Sequence, residues 1–166
     1  MPVGNVHMER ISIVSARPFD KVVEAIRFEP LLDGLTWSSS RRQPKSARTF
    51  AELEASVQKG LGRTNLMLFM ELDHGGILQK ESGQSAPKIV RLIVGNPLIM
   101  KEMVKHVPDA GSYAPVTILI DERPDGVHLS YDRMASLLAP YGNSAALTVA
   151  RDLDSKVESL LRESAA

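Results

Sequence analysis

The residues able to do chemistry gather at the ends of apolar runs. Asp73-His74-Gly75-Gly76 closes the run LMLFMEL at 66–72. A histidine there titrates near neutrality and can act as a general base, with Asp73 close by to orient it or raise its pKa. Successive strand residues point to opposite faces, so Asp73 serves His74 only if the turn rotates the two together. A hydrogen-bonded turn histidine is the plainer reading. Gly95-Asn96-Pro97 joins a second run, KIVRLIV at 88–94, to a helical pattern. The positive end of a helix favours an anion there, and Gly95 would let one approach the backbone closely. The plain alternative is a helix cap on Asn96 with Pro97 in the first turn. Arg91 lies inside that run and needs a partner, either an anion or Glu71. Tyr131-Asp132 ends the run VHLSY at 127–131. If the strands lie side by side, Tyr131 faces the same rim as His74 and Asn96. The candidate ligand-binding set is therefore His74, Arg91, Gly95, Asn96, Tyr131 and Asp132, with His74 and Asp73 as the candidate catalytic pair.

Met100, Met103 and His106 recur every three residues, a drifting helical stripe that could offer a soft-metal face. Methionine at helical spacing is far more often core filler, so no metal is assigned. The chain has no cysteine, which excludes disulfides, thiolate metal sites, cysteine nucleophiles and iron–sulfur ligation. No segment matches a P-loop, a dinucleotide glycine fingerprint, a Gly-x-Ser-x-Gly elbow or a His-Glu-x-x-His zinc motif. Gly60-Leu61-Gly62-Arg63 follows a helical pattern and not a strand, so it is no phosphate loop. No cofactor is expected.

The elements that must position these residues are legible in outline. The 166 residues suit one compact domain, and a hydrophobic content of 43% with 24% charge is that of an ordinary soluble protein. Twenty basic residues balance twenty acidic ones, which argues against nucleic acid as a partner. The basic stretch 41–48 reads as a solvated loop. MPVGNVHMERISIV is not a signal peptide, and no apolar run approaches the roughly 20 residues that span a bilayer. A cytoplasmic protein with no membrane association is the expectation.

His7–Ser15 reads as a strand. Pro18 opens a helix with Phe19, Val22, Val23 and Ile26 on one face, running to about Phe28. Residues 31–47 read as a long loop, with a short strand around 35–38 and Trp37 as a packing anchor. Thr49-Phe50-Ala51-Glu52 is a capping box, and the helix it opens closes near Gly60 or Gly62. Its entry echoes the first helix: SARPF and SARTF share four of five residues. Strands are expected at 66–72 and 88–94, with a short helix at 77–83 between them. A helix from Pro97 stops before Pro108. VTILID and VHLSY flank Pro124-Asp125-Gly126, a hairpin turn in which Pro presets φ and Gly supplies a positive one. Asn143 opens a last helix bearing Leu147, Ala150, Leu153, Val157, Leu160 and Leu161 on one side. The order β-α-α-β-α-β-α-β-β-α implies an α+β domain, its antiparallel or mixed sheet covered by helices.

The block Phe69–Tyr131, with FMELDHGGIL, RLIVGNPLIM and VTILIDERPDGVHLSY, resembles family 302 of the bacterial domains of unknown function. The resemblance runs from about 66 to 143, between an N-terminal extension over 1–65 and a C-terminal helix over 143–163. Asp73-His74 with its small followers, Gly95-Asn96-Pro97 and Tyr131-Asp132 carry it. The chain departs from the pattern at Leu98-Ile99-Met100-Lys101, where the family has Gly-Thr and Leu-Met. It departs again at Tyr113-Ala114-Pro115-Val116, where the family has Leu-Pro-Leu. The resemblance implies a compact sheet flanked by helices, and a homodimer, for which the apolar helix 145–161 would serve as interface or core. It implies no function. The residues themselves favour a small-ligand binding or sensing module, holding a small polar or anionic molecule in a cleft rimmed by His74, Arg91, Asn96 and Tyr131. An enzyme using His74 as general base near Asp73 or Asp132, and a dimeric interaction protein without ligand, are the alternatives.

Overall fold

The computed structural model describes residues 6–27, 47–62 and 64–166. The readings at 31–46, including Trp37 and the strand around 35–38, lie outside the described residues, as does most of the basic stretch 41–48.

Five strands form one fully antiparallel sheet: β1 (Arg10–Ser15), β2 (Met67–Asp73), β3 (Ile89–Gly95), β4 (Val116–Arg123) and β5 (Gly126–Asp132), in the spatial order β1-β5-β4-β3-β2. The expected hairpin joins β4 to β5, with Arg123 opposite Gly126. Gly126 has φ +136°, and a Cβ on it would stand 2.7 Å from the Ser15 carbonyl oxygen, so only glycine fits.

The helices are α1 (Phe19–Arg27), α2 (Phe50–Lys59), α3 (His74–Ser82), α4 (Pro97–Val104), α5 (Met134–Leu138) and α6 (Ser144–Ala165), with short 3₁₀ turns at Pro108–Ser112 and Ala139–Tyr141. Period-2 alternation sends Val90, Leu92 and Val94 of β3, Val116, Ile118 and Ile120 of β4, and Val127, Leu129 and Tyr131 of β5 into one buried layer. Helix α6 lies across that layer and packs on α1, α4, α5 and β1. Its stripe of Ala146, Ala150, Leu153, Val157, Leu160 and Leu161 is buried inside the chain's own core. That stripe is therefore already covered by this chain and not left open.

Several boundaries moved for local reasons. Helix α3 starts at His74 and not near 77, because the Asp73 side chain accepts from the Gly76 N–H at 2.8 Å and caps it. Helix α4 ends at Val104, three residues short of Val107, and Val107 then leads into the Pro108 turn. Helix α5 went unforeseen, since five residues are too few for a periodic pattern.

Candidate functional site

The strand register decides which candidate residues meet. On the β2–β3 pair, Asp73 lies opposite Val90, whereas Met67 lies opposite Gly95. His74 thus leaves one end of the sheet and Asn96 the other; Asp73 and Gly95, the strand residues just before them, lie roughly 17 Å apart along the strands at about 3.3 Å per residue. The single rim joining His74, Asn96 and Tyr131 is not formed. Antiparallel pairing is the cause: the end of β2 and the end of β3 point in opposite directions.

The remaining candidates separate by face. Tyr131 points into the helical layer, only 1% exposed, and donates its hydroxyl to Asp154 Oδ1 at 2.6 Å. Burial and the Asp154 carboxylate push its pKa well above the ordinary tyrosine value. Asp132, the next residue, faces the other way and holds Arg10 of β1 in a two-point ion pair at 2.6 and 2.9 Å. Arg91 also lies on the face away from the α6 layer, donating to Thr117 Oγ1 at 3.1 Å. Its expected partner Glu71 pairs with Arg27 instead. The register explains the exchange, because Glu71 lies opposite Leu92 and so shares the helical face.

His74 is half-buried in the first turn of α3. The Asp73 carboxylate is engaged by Gly76, and no hydrogen bond joins it to the His74 ring among the described residues. Gly75 is there for space: a Cβ on it would stand 2.7 Å from the Ile89 nitrogen and 2.9 Å from the Pro87 carbonyl oxygen. Gly75 therefore lets α3 press against the start of β3.

At the opposite end, Asn96 is a cap and not an anion cradle. Its Oδ1 accepts from the Leu98 N–H at 2.8 Å, and its Nδ2 donates to the Asn65 carbonyl at 3.0 Å. Pro97 has no N–H, and the Ile99 and Met100 N–H groups both reach the Asn96 carbonyl. No backbone donor of that turn is left for an anion. The metal stripe is likewise dispersed. Met103 is wholly buried in the core, Met100 lines a surface cavity, and His106 is exposed beyond the end of α4. Among the described residues no three His, Asp or Glu side chains converge as a metal site.

What the fold builds around Gly95 and Asn96 is a pocket of ≈ 490 Å³. Phe50 and Leu53 of α2 form one wall, Leu98, Met100 and Lys101 of α4 a second, and Phe69, Met70, Ile93 and Gly95 of β2–β3 the floor, with Ala114 and Pro115 at the side. A register shift between Leu68 and Met70 places the extra residue Phe69 in β2. Such a bulge re-aims side chains, and here Phe69 and Met70, neighbours in sequence, both line the pocket. Gly95 keeps the floor open: a Cβ there would press to 3.2 Å from the Pro115 Cβ and 3.5 Å from the Phe69 ring. Phe50 and Met70 are 49% and 41% exposed, large values for side chains that flank a cavity. Lys101 Nζ lies 4.5 Å from the centroid of the Phe50 ring at the mouth.

A second cavity, of ≈ 360 Å³, lies between α5 and α6 and is lined among others by Glu9, Arg133, Arg151, Asp154 and Glu158. All of these charges except that of Arg151 are already committed. Arg133 pairs with Glu9 at 3.1 Å and Glu158 at 3.0 Å, and Asp154 holds Tyr131 and the first turn of α5.

Of the six candidate binding residues, the larger pocket gathers only Gly95 and Asn96. Sequence reasoning passed over Phe50, Leu53, Phe69 and Lys101. Phe50 and Leu53 read as an ordinary apolar helix face, and the bulge at Phe69 leaves no signature in the run LMLFMEL.

A five-stranded antiparallel sheet with the α6 helical layer on one face and an apolar pocket walled by α2 and α4 at one edge defines a small α+β domain. The chain belongs to the family described as "Domain of unknown function DUF302", whose model matches residues 43–164 and so takes in α2 and α6 as well as the span 66–143. A crystal structure titled as that of an uncharacterized conserved DUF302 protein from Bacillus stearothermophilus is similar in fold. Its TM-score is 0.64, over 95% of this chain and 98% of that one, at 11% identity. No curated protein matches the chain. Among the described residues no helix is long and apolar enough to cross a membrane.

Proposed function

We propose that this protein is a small-molecule binding module and that its site is the pocket between α2, α4 and the β2–β3 edge. One observation supports the reading above the others: a cavity of ≈ 490 Å³ walled by Phe50, Leu53, Phe69, Met70, Ile93 and Met100. That volume lies within the range of about 300–1,000 Å³ usual for small-ligand sites, and such sites are mostly apolar with few polar groups. The apolar walls shift the expected ligand away from the small polar molecule that a His74–Arg91–Tyr131 rim would have held. The body of the ligand is apolar.

The test is native mass spectrometry of untagged protein, followed by a thermal-shift screen of apolar metabolite classes. Wild type is expected to carry or accept a ligand, and Leu53→Trp, which fills the wall, is expected to lose it while folding normally. A response equally strong in Leu53→Trp would place binding elsewhere, and no response from any class would count against a binding role.

A further inference from the structure

We infer that the ligand of this pocket is a free monocarboxylate with an apolar chain or ring body, its carboxylate seated at the mouth on Lys101. The inference rests on the binding reading above and adds the head group.

Among the described residues that line the pocket, two side chains can meet a polar group, Asn96 and Lys101. Both ends of the Asn96 amide are used, by the Leu98 N–H and by the Asn65 carbonyl. The N–H groups of the first turn of α4 are used as well. Lys101 alone remains, on the rim and 45% exposed, with its ammonium over the Phe50 ring. It pairs with Glu102 at 2.9 Å, but Glu102 also pairs with Lys105. One carboxylate between two ammonium groups leaves this trio, with Lys101 at the mouth, one surplus positive charge. The two lysines hold the Glu102 carboxyl down at about 2, so it stays ionised and the surplus stays at one unit near neutral pH. An apolar interior with one surplus cation at its entrance is complementary to an amphiphile with a single negative end.

Decanoate and decanol are the probes, because they share a chain and differ in charge at pH 7.5. Each is titrated calorimetrically into wild type, Lys101→Met, Lys101→Arg and Leu53→Trp, with the melting temperature of every variant recorded. Wild type is expected to bind decanoate about tenfold more tightly than decanol, as for a charged hydrogen bond at a partly exposed site. Lys101→Met keeps the apolar stem and should erase the preference without weakening decanol. Lys101→Arg should retain it, and Leu53→Trp should lose both probes. Equal binding of the two probes by wild type, or a preference that survives in Lys101→Met, overturns the head-group inference and leaves the pocket reading standing. Binding of neither probe by folded wild type overturns both. Co-sedimentation with phosphatidylglycerol vesicles in place of probe binding would assign the mouth to a lipid surface and overturn the free carboxylate.

Discussion

The hydroxyl of Tyr131 on β5 donates to Asp154 Oδ1 on α6 at 2.6 Å, and the same carboxylate accepts the Met134 N–H at 2.8 Å and the Ala135 N–H at 3.0 Å. One buried carboxylate thus ties the last strand to the last helix and caps α5 from another element. Helix α5 has no side-chain cap of its own, so Asp154 supplies it from twenty residues further along the chain.

Replacing Asp154 by Ala takes the acceptor from the buried Tyr131 hydroxyl and the part-buried Ala135 N–H and leaves the Met134 N–H only its long 3.4 Å contact to the Tyr131 oxygen, and should lower stability by about 3 kcal/mol. Tyr131→Phe removes a single donor and leaves the carboxylate two others, so it should lower stability by only about 1 kcal/mol. Urea unfolding of both variants and of the double variant gives the coupling. Additive losses would mean that the two side chains do not act together.

Burial raises the Asp154 pKa above its ordinary value, against the opposing pull of Tyr131 and the two N–H groups. The folded state therefore holds this proton more tightly than the unfolded chain. For a raised carboxyl, stability falls as pH climbs from the unfolded value through the folded one, the reverse of a salt-bridged acid. Asp154→Asn removes the titration. The stability advantage of wild type over Asp154→Asn should shrink as pH rises through the carboxylate range, which denaturant midpoints at several acidic pH values will show. A widening advantage would indicate that the hydrogen bonds outweigh burial.

Asn96 offers a contrast between two uses of one amide. At an ordinary cap Asp replaces Asn at little cost. Here Nδ2 also donates to the Asn65 carbonyl, and Asn96 is 5% exposed. Asn96→Asp keeps the cap but sets a carboxylate against a carbonyl oxygen, and should lower stability by about 2 kcal/mol, comparable to Asn96→Ala. A neutral Asn96→Asp would show that the Asn65 contact contributes nothing.

How much of this was legible follows from the range of each interaction. The caps at Thr49, Asn96 and Asn143, the Pro124-Asp125-Gly126 turn and the apolar alternation of β3, β4 and β5 are local, and the residues that make them stand within a few positions of each other. The candidate site depended on register between strands, which no local signal fixes. Treating every strand end as one rim placed His74 beside Asn96, whereas alternate ends of an antiparallel sheet face opposite ways. His128 shows the same limit. The alternation of VHLSY turns it away from the layer of Val127 and Leu129, toward solvent, yet its neighbours leave it 8% exposed, bonded to Asp125 at 2.9 Å.

Gly75 and His74 separate space from chemistry in the first turn of α3. Gly75→Ala drives a methyl group into the backbone at Ile89 and Pro87, which cannot yield as a side chain end does, and should destabilise by about 2–3 kcal/mol through displacement of α3 from β3. His74→Ala removes a half-buried ring with no hydrogen-bond partner among the described residues, and should change stability by less than about 1 kcal/mol. Thermal unfolding of the two variants side by side tests the assignment. Should His74→Ala melt as early as Gly75→Ala, the imidazole is itself a packing element of the α3–β3 junction, and a general-base role for it loses its remaining support.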